Sequence, residues 1–291
     1  MQAEFKTALV TGANSGLGKA VATALARSGA RVLMLCRNAE RGAAARDGIA
    51  AATGNERLEL LVCDLASQGD IRRTAADVCG RADALHMLVN NAGTAFAERG
   101  LTADGVERSL AVNHLGPFLL TNLLLDLLRA GAAEGNGARI VNVGTRIDTA
   151  MDLSDLNWER RPYRMMGAYG ESKLGNIHFT RELARRLDGT GVTVNCVFPG
   201  VFLSNLGGTD GAQNWALKLF AKTFGWALPK PGRAAERVLY LLTSEEVASV
   251  SGEYFGERTP IAAPAQANDP AANAELWRRS AALVGLEEPA G

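Results

Sequence analysis

Short runs rich in apolar residues recur along this chain: Thr7–Thr11, Arg31–Cys36, Leu58–Cys63, Leu85–Asn90, Arg139–Val143 and Val192–Phe198. Most are apolar at successive positions rather than at alternate ones. That is the pattern of strands covered on both faces, as in a parallel sheet between helical layers. Helical spacing fills the intervals. Gly16–Ser28 ends at Gly29, a residue suited to a C-cap, and Asn38 caps a helix that runs to about Thr53, before Gly54. Ser67–Arg81 and Thr102–Ala130 follow. Gly167–Leu187 carries Ile177, Thr180, Leu183, Ala184 and Leu187 on one stripe, and Pro231 helps to start a further helix. The alternation predicts an α/β fold: a doubly wound parallel sheet of about seven strands, the last a short one at Gly252–Phe255.

No internal repeat and no linker rich in Pro, Gly or Ser divides the chain, so the pattern predicts a single domain over residues 3–256 with a tail from 257 to 291. In the tail Asp269 is placed to cap a helix, Pro270 to open it and Gly285 to stop it. Trp277, Ser280 and Val284 share one face, which predicts that this helix docks on the body.

Charge narrows the function classes. Lys+Arg and Asp+Glu are both 31 in 291 residues, so the formal net charge is zero and no basic excess suits a nucleic acid. Cys36, Cys63, Cys79 and Cys196 form no CxxC pair, and His86, His114 and His178 are scattered, so no metal site is expected. The thiols read as reduced and structural. The first residues lack the basic and apolar regions of a secretory signal. Leu115–Leu128, the longest apolar stretch, is interrupted by Gly116, Pro117, Thr121, Asn122 and Asp126 and falls short of the roughly 20 residues a span needs. A soluble, cytoplasmic protein with no membrane span is expected.

The candidate chemistry begins at Thr11-Gly12-Ala13-Asn14-Ser15-Gly16-Leu17-Gly18, between the first strand and the first helix. Glycines there let the chain turn sharply and let a diphosphate approach bare N–H groups at a helix N-terminus. Asn90-Asn91-Ala92-Gly93 closes the fourth strand, Asn113 follows in the next helix, and Tyr169-Gly170-Glu171-Ser172-Lys173 places a phenol and an ammonium four residues apart on one helix face. Pro199-Gly200 follows the sixth strand. In order and spacing these five motifs resemble the short-chain dehydrogenase/reductase family over essentially residues 5–256. The insertion Met151–Tyr163, the run Phe179-Thr180-Arg181-Glu182-Leu183 and the segment Ser251-Gly252-Glu253-Tyr254-Phe255 are similar to its retinol-dehydrogenase-like branch.

The resemblance implies a Rossmann-type fold and a set of roles. Gly12, Asn14, Ser15, Gly16, Leu17 and Gly18 would cradle the cofactor phosphates. Asp64 and Leu65 would meet the adenine, Asn91, Ala92 and Gly93 would line the cleft, and Pro199, Gly200 and Ser204 would flank the nicotinamide. Tyr169 would be the acid or base. Lys173 would lower the Tyr169 pKa and hold the ribose, because a nearby positive charge favours the phenolate. Asn113 would support a proton relay. The chain departs from the family at the third hydroxyl: Asn142-Val143-Gly144-Thr145-Arg146 puts Thr145 where a serine is usual. Threonine keeps a donor and acceptor hydroxyl but adds a methyl and a stiffer χ1.

At the end of the second strand Cys36-Arg37-Asn38 has no carboxylate for a ribose 2′-hydroxyl, whereas Arg37 offers a guanidinium for a 2′-phosphate. The expected cofactor is therefore NADP(H). Residues 202–230, with Leu206, Trp215, Phe220, Phe224 and Trp226, correspond to the family's substrate lid, and their size suits a bulky lipophilic ketone or aldehyde. Two alternatives share these features: a non-reducing cyclase or dehydratase that uses Tyr169 purely as an acid, and a catalytically silent NADP(H)-binding protein. Consumption of NADPH with lipophilic ketones separates the three. The apolar stripe of Leu115–Leu128 is wider than one buried face needs. With the family's habit of pairing this helix and the Tyr169 helix across a two-fold axis, it predicts a homodimer or homotetramer; the competing view is that the tail covers it.

Overall fold

The computed structural model describes residues 6–146, 148–200 and 231–287. The proposed lid and Ser204 therefore lie outside the described residues. Seven strands form one parallel sheet: β1 (Thr7–Thr11), β2 (Arg31–Cys36), β3 (Leu58–Val62), β4 (Met87–Asn90), β5 (Ala138–Val143), β6 (Val192–Val197) and β7 (Tyr254–Phe255). Their order is β3-β2-β1-β4-β5-β6-β7. The chain winds outward from β1 in one direction and from β4 in the other, so a crevice opens at the carboxyl ends of these two neighbours. Register joins Val10 to Met34 on one side of β1 and to Val89 on the other. Except at the β3 edge, the strands are buried along most of their length, as their unbroken apolar runs require.

Helices cover both faces. α1 (Gly16–Arg27) and α2 (Ala39–Thr53) pack on one side with α7 (Pro231–Thr243). α3 (Gln68–Arg81), α4 (Arg108–Leu123), α5 (Leu125–Gly131) and α6 (Met165–Arg186) pack on the other. Two caps are those the sequence names, Asn38 accepting from the Arg41 N–H at 2.8 Å and Asp269 from Ala271 at 2.9 Å, and Ser67 caps α3 by accepting from Asp70 at 3.2 Å. Gly54 ends α2 in the left-handed region at φ +70°.

The expected single helix from Thr102 to Ala130 starts later and is broken. Thr102 Oγ1 accepts from Asp104 and Val106, which closes a local turn, and the Glu107 carboxylate instead caps the start at Ser109 and Leu110. Between Ala111 and Leu115 α4 widens into one π-helical turn, in which the Gly116 N–H donates to the Ala111 carbonyl. Pro117 explains this. It has no N–H for the Asn113 carbonyl four residues back, and its ring crowds that carbonyl. At Leu124 the axis bends by 59° into α5. No single helix among the described residues is long and apolar enough to cross a membrane.

The tail forms α8 (Pro270–Leu283) and lies against α4 and α6. Trp277 meets Phe118 edge-on at 4.8 Å and Phe179 at 5.8 Å, and the Arg186 guanidinium stacks on it at 4.2 Å. Buried histidines fix the register of the dock: His114 Nε2 bonds to Ser280 Oγ at 2.8 Å and His178 Nδ1 to Asn273 Oδ1 at 2.6 Å. Burial, with His178 nearby, pushes His114 down to about 3, so it is neutral at pH 7. α4 thus lies on the sheet between α3 and α6, and α8 of the same chain reaches it at His114 and Phe118. Trp277→Ala should remove about 3–5 kcal/mol of stability, the usual cost of truncating a buried aromatic. Chemical denaturation should show this as a lower midpoint.

Candidate active site

At the carboxyl edge β1 runs into a turn that α1 continues. Gly12 takes φ +66° and donates its N–H to the Leu35 carbonyl at 2.8 Å, which ties the turn to β2. Gly16 takes φ +53° with open space around it. Ser15, at the N-cap, makes no side-chain capping bond, so first-turn N–H groups of α1 are left for an anion. A β-carbon on Gly18 would stand 2.4 Å from the Gly12 carbonyl oxygen and 2.5 Å from Asn91 Nδ2. Leu17 is buried beneath and Asn14 half-buried at the rim. Thr11 joins the turn to β4: its hydroxyl accepts from the N–H groups of Asn91 (2.9 Å) and Ala92 (3.0 Å), and Asn91 Nδ2 donates to the Thr11 carbonyl at 2.8 Å.

Arg37 stands exposed where β2 ends, one residue past the buried Cys36. The Cys36 thiol is hydrogen-bonded by the backbone of Ala13 and Asn14, and burial raises it to about 11, so it is a structural prop under the turn rather than a thiolate. Asp64 lies past the end of neighbouring β3, and its Oδ1 accepts from the Ala66 N–H at 2.9 Å, while Ser67 caps α3. Leu65 beside it is buried. Pro199 and Gly200, with φ +93° at the glycine, leave the end of β6.

The side chains singled out as candidate catalytic groups gather next to this turn. Asn113 sits in the π-helical turn of α4 and is buried. Its Oδ1 accepts from the Thr94 N–H at 2.8 Å, and its Nδ2 donates to the Thr94 carbonyl at 2.8 Å and to Ser172 Oγ at 2.9 Å. Ser172 donates onward to the Tyr169 carbonyl at 2.7 Å. Lys173 is buried, and its Nζ donates to the Val143 carbonyl at 3.0 Å. A β-carbon on Gly93 would lie 2.9 Å from that Nζ and 3.2 Å from Asn113 Oδ1, so the glycine leaves the room the two polar groups need. The Thr145 hydroxyl faces the Tyr169 side chain closely enough to act on its pKa.

Electrostatics depart from the sequence expectation in one respect. Burial raises the Tyr169 pKa above its ordinary value, and the hydrogen bond from Thr145 offsets only part of the rise. Lys173 does not lower it. Lys173 is itself desolvated, which brings its ammonium down to about 8. The pair is a phenol that keeps its proton at neutral pH and an amine able to give one up close to it.

Several supports escaped the motif reading. Tyr254 on β7 donates its hydroxyl to the Thr145 carbonyl at 2.9 Å and so fixes the residue whose hydroxyl faces Tyr169. Asn90 donates to Thr121 (3.0 Å) and to Asn142 (2.8 Å), and Asn142 donates to Thr180 (2.9 Å). This buried network ties β4 and β5 to α4 and α6. Polar residues at interior strand positions, Asn90 and Asn142, were the available signal, because such groups need partners.

A nucleotide turn at the switch point of a doubly wound sheet, with a tyrosine, a lysine and a hydroxyl beside it, defines a dinucleotide-dependent oxidoreductase class. The short chain dehydrogenase family model matches residues 6–215, and the chain belongs to that family, whose members use NAD(P)(H). Retinol dehydrogenase 13 of Homo sapiens is 42% identical over 290 residues, covering 98% of this chain and 86% of that protein. Retinol dehydrogenase 14 of Homo sapiens is 42% identical over 297 residues, covering 97% and 87%. Among solved structures, an uncharacterized protein from Mycobacterium Paratuberculosis superposes with a TM-score of 0.77 at 31% identity, covering 98% of this chain and 95% of that one. The RhlG/NADP active-site complex of Pseudomonas aeruginosa gives 0.67 at 28% identity, covering 88% and 97%.

The depressed Lys173 has a measurable consequence. Unfolded, a lysine holds its proton to about pH 10.4; folded, Lys173 releases it near 8. Between these values the unfolded state binds more protons, so this group's contribution to stability rises with pH. Its penalty, about 3 kcal/mol from the shift, is full below pH 8 and gone above the unfolded value. Lys173→Met should therefore raise the melting temperature at pH 7, with the gain shrinking towards pH 10.

Proposed function

We infer that this protein interconverts a bulky lipophilic ketone or aldehyde, of a retinoid-like, steroid-like or polyketide-like kind, with its alcohol, using NADP(H). The observation that carries the reading is the meeting of Thr145, Tyr169, Lys173 and Asn113 beside the glycine turn. The substrate class draws support from the identity to retinol dehydrogenases. When bound, the nicotinamide cofactor supplies hydride to the substrate carbon in reduction and accepts it in oxidation.

The protein's own groups manage the oxygen and its proton. Thr145 hydrogen-bonds the carbonyl oxygen and polarises it. Tyr169 gives its proton to that oxygen in reduction and takes it back in oxidation. The raised Tyr169 pKa keeps the acid loaded at neutral pH. Lys173, poised near 8, orients the ribose and restores the Tyr169 proton, and Asn113, clamped by Thr94 and Ser172, supports that relay. Arg37 grips the 2′-phosphate, while the neighbouring Asn38 side chain is committed to capping α2. The free thiols suit a reducing compartment, in keeping with a cytoplasmic protein.

NADPH should bind more tightly than NADH. Arg37→Ala should erase most of the preference, since a charge-assisted contact is worth about 1.5–3 kcal/mol, roughly ten- to a hundredfold in affinity. Calorimetric titration with both cofactors checks this, and equal affinities in the wild type would remove the assignment.

Tyr169→Phe keeps the ring and removes the proton donor. Turnover of lipophilic aldehydes such as retinaldehyde should fall by about 10²–10⁴-fold with NADPH affinity retained. Undiminished turnover would place the acid elsewhere.

Assembly is open to the same kind of test. The expected homo-oligomer relied on the apolar stripe of Leu115–Leu128, which is already buried within one chain at Leu115, Phe118, Leu119, Leu120, Leu124 and Leu128. Light scattering should give a mass near the 30.7 kDa of one chain. A dimer or tetramer mass would mean that another face pairs.

A further inference from the structure

The insertion between β5 and α6 makes contacts that its sequence does not announce. Arg161 lies over the Trp158 ring, 3.8 Å from its centroid, and donates two bonds of 2.6 Å to the Glu171 carboxylate. Glu171 is in α6, between Tyr169 and Lys173. Asp155 adds a second carboxylate 3.4 Å from the same guanidinium and accepts from the N–H groups of Glu159 and Arg160. Trp158 takes φ +55°, the one positive φ among the described non-glycine residues. A large side chain rarely adopts that backbone conformation unless its surroundings over-determine it. Here they do, with Arg161 over the ring, Tyr163 edge-on at 5.7 Å, and the backbone of α6 at Gly167. A β-carbon on Gly167 would stand 2.7 Å from Trp158 Cη2 and 3.2 Å from Cζ2.

The same insertion reaches α4. Asn157 Oδ1 accepts from the Glu107 N–H at 3.0 Å, and the Tyr163 hydroxyl donates to the Phe96 carbonyl at 3.1 Å and lies 3.2 Å from Glu107 Oε1. Thr145 stands at the upstream end of this loop and Tyr169 at its downstream end, while Asn113 is on the helix that Glu107 caps. One segment therefore touches α6 and the start of α4, the helices that carry Tyr169 and Asn113.

We propose that residues 151–163 act as a positioning clamp, in which the Trp158 ring, seated against Gly167 and held by Arg161 and Glu171, sets where the first turn of α6 places the Tyr169 hydroxyl relative to Thr145. Trp158, Arg161, Glu171 and Gly167 are positioning residues, since none of them is one of the reacting groups. The proposal rests on the reading of Thr145 and Tyr169 as the reacting hydroxyl pair.

The test uses the full chain labelled with tyrosine carrying ¹³C at Cζ, the Tyr169 resonance being assigned by its loss in Tyr169→Phe. Gly167→Ala pushes its new methyl into the indole, so the Tyr169 resonance should move while that of the distant Tyr240 stays. With a lipophilic aldehyde, kcat should fall at least tenfold with the NADPH dissociation constant unchanged. Adding Trp158→Phe removes the ring atoms that the new methyl would strike. The double variant should bring the Tyr169 resonance back towards wild type and kcat to within about threefold of it. Glu171→Gln keeps the shape but frees Arg161, and should shift the same resonance in the same direction by less; it replaces Gly167→Ala if that variant does not fold. A Tyr169 resonance unmoved in a folded Gly167→Ala, or one not restored in a folded double variant, overturns the clamp. If the wild type reduces no carbonyl compound while the resonance still moves and returns, the clamp stands and the proposed reaction falls.

Discussion

A β-carbon on Gly18 would stand 2.4 Å from the Gly12 carbonyl oxygen and 2.5 Å from the Asn91 amide. The β1–α1 turn, which holds both Gly12 and Gly18, and the loop that holds Asn91 therefore meet where there is room for no side chain. The obstructing atoms are a backbone oxygen and an amide already bonded to Thr11, so neither can swing aside. This contact sets the distance between α1 and the β4 loop, and with it the width of the crevice at the switch point. The glycine turn and the Asn91–Gly93 loop are held close because the packing at Gly18 leaves no slack. The Thr11 hydroxyl, accepting from two N–H groups of that loop, holds the same relation from the strand side.

The interior behind the crevice is polar to an unusual degree for a sheet core. Asn90, Asn142, Thr121 and Thr180 bond to one another across two strands and two helices, and Lys173 is buried beside them on the Val143 carbonyl. Burying such groups costs stability where a partner is missing, as at Asn90 Oδ1, which has none among the described residues. The cost is clearest at Lys173, whose lowered pKa measures how poorly its charge is solvated. The same desolvation brings its proton exchange into the neutral range. The stability given up at this buried amine and its lowered pKa have one physical origin.

Elements far from the crevice also bear on it. α8 closes over α4 and α6 through Trp277, Ser280 and Asn273, so the helices carrying Asn113 and Tyr169 are packed from outside as well as from the sheet. Tyr254, on the last and shortest strand, reaches back to the Thr145 carbonyl. The Thr145 and Tyr169 hydroxyls are thus held by unrelated parts of the fold: one by β7, the other by α6 with its neighbours. Their mutual placement is a property of the whole domain.

Much of this was legible in the sequence because the governing physics is local. Unbroken apolar runs mark strands covered on both faces, Asn38 and Asp269 cap the helices that follow them, and the spacing of Tyr169 and Lys173 puts both on one helical face. The sheet, the glycine turn and the cluster of Asn113, Thr145, Tyr169 and Lys173 followed from such rules and from the resemblance they support. Other features depend on which distant residues come to lie together. Periodicity in Thr102–Ala130 could not show that Thr102 would capture nearby N–H groups, nor that the axis would bend at Leu124. The wide stripe on α4 announced a partner but not which one, since an apolar face is satisfied equally by another chain or by α8. The Tyr169 pKa was expected to fall because a lysine was near in sequence, and it rises because burial, a three-dimensional quantity, outweighs that neighbour once Lys173 turns to Val143. Residue types and spacing decide local geometry and which groups are available; only packing decides which of them meet, how far each is removed from water, and hence how each one titrates.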